Sequence, residues 1–152
     1  MKNIKFSRLF AAMMVVAILA LAGCKQPEDE TTKGKVTPLT AEDGIVGTWV
    51  CDAGDKYTIT VDKAAETGWD MWAFNIEEFL KVSDSAGVLY GILTKGSDWT
   101  PAGTYYAVAY KDLTENTATI AAAGTSYSSL EEVKAKCTID NMFTYFSECT
   151  KE

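Results

Sequence analysis

Residues 45–62 read Ile-Val-Gly-Thr-Trp-Val-Cys-Asp-Ala-Gly-Asp-Lys-Tyr-Thr-Ile-Thr-Val-Asp. Ile45 to Cys51 and Lys56 to Asp62 are β-rich runs, and Asp52-Ala53-Gly54-Asp55 between them has the composition of a turn. In the second run Tyr57, Ile59 and Val61 alternate with Lys56, Thr58, Thr60 and Asp62, which puts apolar groups on one face and wet ones on the other. The stretch is a β-hairpin. It decides the fold because its pattern recurs to the end of the chain, with short β-rich runs separated by turn clusters about every ten residues, the spacing of an all-β barrel or sandwich. Further strands are predicted at Trp69 to Asn75, Glu78 to Val82, Val88 to Leu93, Thr104 to Lys111, Thr117 to Ala121 and Met142 to Ser147, eight in all.

Eight antiparallel strands can close into an up-and-down barrel whose interior is filled by side chains or just wide enough for one small ligand. Tyr90, Tyr106, Val108 and Tyr110 alternate with Leu89, Tyr105, Ala107 and Ala109, so two strands carry apolar groups on both faces. A helix, a loop or a partner must cover the second face. Ser128 to Lys136 supplies a helix candidate, with serine at its cap, Glu131 and Glu132 in its first turn and lysines in its last. It is expected to cover one barrel end.

The chain is 152 residues long, enough for one domain, and the absence of histidine removes Ser/His and Cys/His triads and histidine zinc sites. Carboxylate pairs occur at Glu77/Glu78, Glu131/Glu132 and Asp52/Asp55, but strand neighbours point to opposite faces, helix acids suit the dipole and the aspartates suit a turn. No phosphate loop or EF-hand pattern is present, so the chain is expected not to be an enzyme and to need no metal or other cofactor. Beyond residue 23, 11 Lys+Arg face 21 Asp+Glu, a net charge of −10, and the lysines are scattered singly. Nucleic acid therefore does not match this charge and is not expected as a partner.

Lys2, Lys5 and Arg8 precede an uncharged run from Leu9 to Ala22, which at 14 residues is shorter than the roughly 20 that span a bilayer. Residues 1–23 read as an export signal. Leu21-Ala22-Gly23-Cys24 resembles the lipobox of bacterial lipoproteins, which implies acylation of Cys24 and a membrane anchor made of lipid chains such as palmitate. With Lys25 after the cysteine, the expected location is the cell envelope, at the outer membrane or cell surface. Residues 24–41 are the lipidated cysteine and a polar, proline-punctuated tether, and 42–152 the folded domain. Cys51, Cys137 and Cys149 remain in a compartment that permits disulfides, allowing one bridge and one leftover thiol. A bridge from Cys51 to either late cysteine would tie the termini together.

Gly47-Thr48-Trp49, Lys56-Tyr57-Thr58-Ile59-Thr60, Ser83-Asp84-Ser85-Ala86-Gly87-Val88, Tyr106-Ala107-Val108-Ala109-Tyr110-Lys111-Asp112-Leu113 and Tyr145-Phe146-Ser147-Glu148-Cys149 follow one another in this order. Together with the lipobox, this set resembles the small lipocalin-like lipoproteins found as multiple related copies in spirochaetes. The resemblance implies that Gly47 and Trp49 form the barrel floor, the glycine admitting a close approach and the indole plugging the base. Lipocalins also carry an arginine on the last strand over that tryptophan and a helix after the eighth strand. Here no arginine follows residue 23, and the helix candidate precedes the final strand.

Trp69, Trp72 and Trp99, with Tyr90 and Tyr106, are the candidate ligand contacts. Trp69 and Trp72 fall on opposite faces of their expected strand, and Trp99 sits in the loop from Gly96 to Pro101. The function expected is that of a membrane-anchored binding module taking a small apolar molecule. The alternative is a surface module that contacts a protein, as an adhesin or inhibitor, with a filled barrel.

Overall fold

The computed structural model describes residues 34–152. Nine strands run in chain order: β1 (Lys35–Thr37), β2 (Gly47–Cys51), β3 (Lys56–Ile59), β4 (Lys63–Thr67), β5 (Ala73–Ser83), β6 (Ala86–Lys95), β7 (Tyr105–Lys111), β8 (Thr117–Ala122) and β9 (Ser147–Lys151). One helix, α1 (Leu130–Lys136), and a 3₁₀ turn (Met142–Thr144) lie between β8 and β9. Strands β2 to β9 pair in sequence order, and β9 returns antiparallel to β2, so eight strands close into an up-and-down barrel. The all-β, eight-stranded antiparallel class read from the sequence is the observed one.

Closure changes which residues form the strands. The runs 69–75 and 78–82, expected as two strands, are not separate: residues 69–72 form the loop after β4, and 73–75 and 78–82 are parts of the single strand β5, whose register against β6 shifts between Ile76 and Glu78. This bulge absorbs the Glu77-Glu78 pair that reads as a break. A Cβ on Gly91, opposite, would stand 1.8 Å from the Asn75 carbonyl oxygen, so only glycine fits there. The eighth barrel strand is instead β4, Lys-Ala-Ala-Glu-Thr, whose composition is poor for a strand. Packing overrides that composition, because Ala64 is small enough to sit inside opposite Phe74. Residues 142–147, expected as a strand, form the 3₁₀ turn and then lead into β9. Asn141 sets that turn, accepting from Thr138 N at 2.9 Å and donating to the Lys136 carbonyl at 2.8 Å.

The stretch expected to be a free tether up to residue 41 is docked from β1 onward. Lys35 pairs with Lys81 and Thr37 with Phe79, on the half of β5 that β4 does not reach. Residues 1–33, which include the expected export signal and Cys24, lie outside the described residues.

Helix α1 is capped as its sequence suggests. Ser129 Oγ accepts from Glu132 N at 3.1 Å, and the Glu132 carboxylate accepts from Ser128 N and Oγ. It does not cover a barrel end, however. It packs on the outer face of β6 and β7, with Val133 fully buried and the Tyr90 hydroxyl donating to the Cys137 carbonyl at 2.8 Å. Lys134 pairs with Glu78 on the same outer face at 2.5 Å. The two-faced apolar pattern of these strands is thereby accounted for, one face to the barrel interior and one to the helix.

Cys51 and Cys149 are register partners on β2 and β9 and form a disulfide, while Cys137 is a buried free thiol. Burial pushes that thiol above its usual range, so it stays protonated and unreactive in the folded protein.

Candidate functional site

The barrel has two ends, and different residues close each. At one end Trp49 is completely buried, and its indole N–H donates to the Ile45 carbonyl at 2.8 Å. Lys151, on the last strand, lies with Nζ 5.2 Å from the centre of the Trp49 ring and donates to the Gly44 carbonyl at 2.8 Å. A lysine therefore stands where the lipocalin resemblance implies an arginine. Gly47 has φ +146°, and a Cβ there would come within 2.6 Å of Lys151 Cε, so the glycine makes room for that ammonium stem. Asp43 fixes the adjoining turn. Burial pulls its carboxyl upward, but hydrogen bonds from Thr40 and Lys81 outweigh this and hold it below the usual carboxylate range.

At the other end, Trp72 is 2% exposed and packs against Tyr106, Phe74 and Tyr57, with ring centres 5.1, 5.6 and 6.0 Å away. Between the two tryptophans the interior is filled: Phe74, Leu89, Leu93, Val108 and Ile120 are each at most 1% exposed. Burial also pushes the Tyr57 and Tyr106 phenols above their usual range, so both remain neutral. Among the described residues, surface clefts of about 390, 420, 390 and 190 Å³ are not lined by Trp49, Trp69, Trp72, Tyr90, Trp99 or Tyr106.

No family model, curated protein or solved structure matches the chain.

The six aromatic candidates on the folded part thus separate into four places, with Gly47 beside Trp49. Trp49 closes one end, and Trp72 with Tyr106 fills the other, inside the barrel. Tyr90 lies on the outer face beneath α1, away from both. Trp69 and Trp99 are 74% and 87% exposed, on the β4–β5 and β6–β7 connections. These candidates do not line one pocket. The paired acids also have structural partners: Glu78 holds Lys134, Glu132 caps α1, Asp52 accepts from Glu148 N and Asp55 from Ser147 Oγ.

Sequence reading passed over Glu66, the residue that organises the Trp72 end. It is 3% exposed, and its carboxylate accepts from Trp69 N at 3.0 Å, Asp70 N at 3.0 Å and Met71 N at 2.8 Å. One buried charge therefore holds the whole β4–β5 loop and positions Trp72 as the plug. An acidic residue at an inward strand position, three before a Trp-Asp-Met-Trp turn, was the available signal.

Replacing Glu66 by leucine should strand three N–H donors, lowering stability by about 2 kcal/mol or more. Tryptophan emission should shift to the red as Trp72 meets water. Glu66→Gln, which keeps an acceptor, should fall between parent and Glu66→Leu in a chemical melt. Superimposable melts for parent and Glu66→Leu would remove Glu66 from this role.

Proposed function

We propose that the chain is a cell-envelope lipoprotein, acylated on Cys24, whose lipocalin-like barrel is a protein-interaction module and not a carrier of small apolar molecules. The observation that carries this reading is the filled interior: two buried tryptophans close its ends, and the side chains between them leave no exposure to a ligand. Lipocalin-like carriers need a hollow barrel to hold a ligand. Here the large apolar groups left accessible are outside it, most of them in loops, with Trp69 and Trp99 the exposed indoles. Exposed aromatics of this kind are enriched at protein interfaces. The aromatic loops connect strands at the Trp72 end, while β1 brings the chain in against the opposite half of β5. No catalytic role enters this reading.

Two measurements test it. Titrating residues 25–152, which omit Cys24, with an apolar fluorescent probe and a panel of lipids, haems and sugars should give no saturable uptake. One-site saturation with quenching of tryptophan emission would restore the small-ligand reading. Mass spectrometry of the membrane fraction should find a mature N-terminus at an acylated Cys24. A different N-terminus would remove the anchor.

A further inference from the structure

The β4–β5 loop, residues 68–72, contains a combination that barrel closure alone does not require. Plugging the barrel needs Trp72 to point inward, yet the same loop holds Trp69 74% exposed and Met71 52% exposed. Trp69 is not loose. Its indole N–H donates to the Ala53 carbonyl at 3.1 Å, and its backbone N–H donates to buried Glu66. Met71 adopts φ +49°, a left-handed conformation that a non-glycine residue adopts at some cost, and its N–H is also held by Glu66. A large aromatic ring is thus fixed from behind with its surface open to water.

The surroundings of that ring are acidic. The β2–β3 turn lies against the loop, since a Cβ on Gly68 would stand 2.9 Å from the Gly54 carbonyl oxygen and 3.2 Å from Asp55 Cα. Asp52, Asp55 and Asp70 belong to these two segments, and neither residues 52–55 nor 66–72 include a lysine or arginine. Lys56, the next residue along, is engaged with Glu152 at 2.6 Å. Asp52 and Asp55 accept hydrogen bonds from β9, but the Asp70 carboxylate meets no donor among the described residues. A tryptophan face is the best neutral partner for a side-chain cation, and adjacent carboxylates add to the attraction.

We propose that this loop is the docking point of a cationic protein segment, a lysine or arginine side chain of the partner stacking on Trp69 with its charge toward Asp70 and its alkyl stem against Met71. The proposal rests on the protein-interaction reading above. A single ring does not make the multi-ring cage that selects a small quaternary ammonium ion, whereas a long cationic side chain carried by a peptide can use ring, carboxylate and thioether together. The net charge of −10 beyond residue 23 favours a basic partner over an acidic one.

The test uses the full chain in a non-ionic detergent, with an oligo-arginine peptide as probe and the same peptide with glutamine at every arginine as comparison. Binding is read by calorimetry and by tryptophan emission. The arginine peptide should bind, more weakly as salt is raised. Trp69→Ala should weaken it about tenfold, equivalent to about 1.4 kcal/mol. Trp69→Phe should retain part of the affinity, Asp70→Asn should weaken it severalfold with a shallower salt dependence, and Val61→Ala, exposed on the β3–β4 connection at the other end of the barrel, should bind like the parent. Near-ultraviolet circular dichroism of each variant confirms that the barrel is intact. Equal binding by parent and folded Trp69→Ala would overturn the proposal, as would no binding of the arginine peptide at all. Equally tight binding of the glutamine peptide would overturn the cationic partner while leaving protein docking standing. Saturable uptake of an apolar probe in the titration of residues 25–152 is a separate outcome, and it would overturn the protein-interaction reading itself.

Discussion

Trp49→Ala should unfold the barrel at moderate temperature, while Trp99→Ala should melt with the parent. Trp49 is completely buried, whereas Trp99 is 87% exposed. Truncating a buried tryptophan costs about 3–5 kcal/mol, against total stabilities of about 5–15 kcal/mol for typical domains. The loss here has three parts: the indole volume itself, the hydrogen bond to Ile45 and the ring on which Lys151 rests. With the ring gone, the Lys151 ammonium stays beside Gly47 with one fewer partner. Exposed substitutions generally stay within about 0.5 kcal/mol of the parent. Equal midpoints for Trp49→Ala and the parent in a thermal melt would contradict the assignment of Trp49 as the closure of that end.

Removing the disulfide should have an effect of similar size by a different route. Cys51 and Cys149 are 98 residues apart in sequence, and cross-linking a loop of about 100 residues is worth about 4.7 kcal/mol in the chain-entropy model. The double variant Cys51→Ser, Cys149→Ser should therefore melt well below the parent, and reductant should lower the midpoint of the parent but not that of the double variant. Peptide mapping after alkylation in denaturant without reductant should label Cys137 and leave Cys51 and Cys149 unlabelled. Label on either of those two in a freshly purified, oxidised sample would contradict the pairing. A parent midpoint indifferent to reductant would show that the bridge contributes nothing to stability.

The sequence carried the strand grammar well wherever alternation was clean. Lys56 to Ile59, within the run expected to reach Asp62, and the run around Tyr105 to Lys111 are strands because β-branched and aromatic residues sit at a period of two, while residues 60–62 turn into β4 and leave Val61 exposed. It carried β4 poorly, since Ala64 and Ala65 have little strand preference, and only the bulk of Phe74 across the ladder explains why a small residue belongs there. The bulge in β5 was equally hidden, because one extra residue breaks the alternation and divides a single strand into two apparent runs until a neighbouring strand absorbs it. At the candidate site, Gly47 and Trp49 were legible as a local motif, but Lys151, which completes it, lies about a hundred positions away. The five proposed ligand contacts shared aromaticity and not location. Aromatic type does not say whether a ring faces the barrel, the helix or the solvent, and only closure separates Trp72 from Trp69 three residues earlier.

The Cys51–Cys149 bridge joins the first and last strands of the barrel, so residues 51–149 form a covalent macrocycle from which the rest of the chain extends as tails. The ring contains six strands whole, β3 to β8, and ends within β2 and β9, across the seam where the barrel closes. A protease that cuts one of the exposed connections, such as the one carrying Trp99, opens the ring but releases no fragment, because both pieces remain joined through sulfur. At the cell-envelope location proposed above, a molecule nicked by foreign proteases would keep all its strands together, and only the combination of cleavage and reduction would shed part of it.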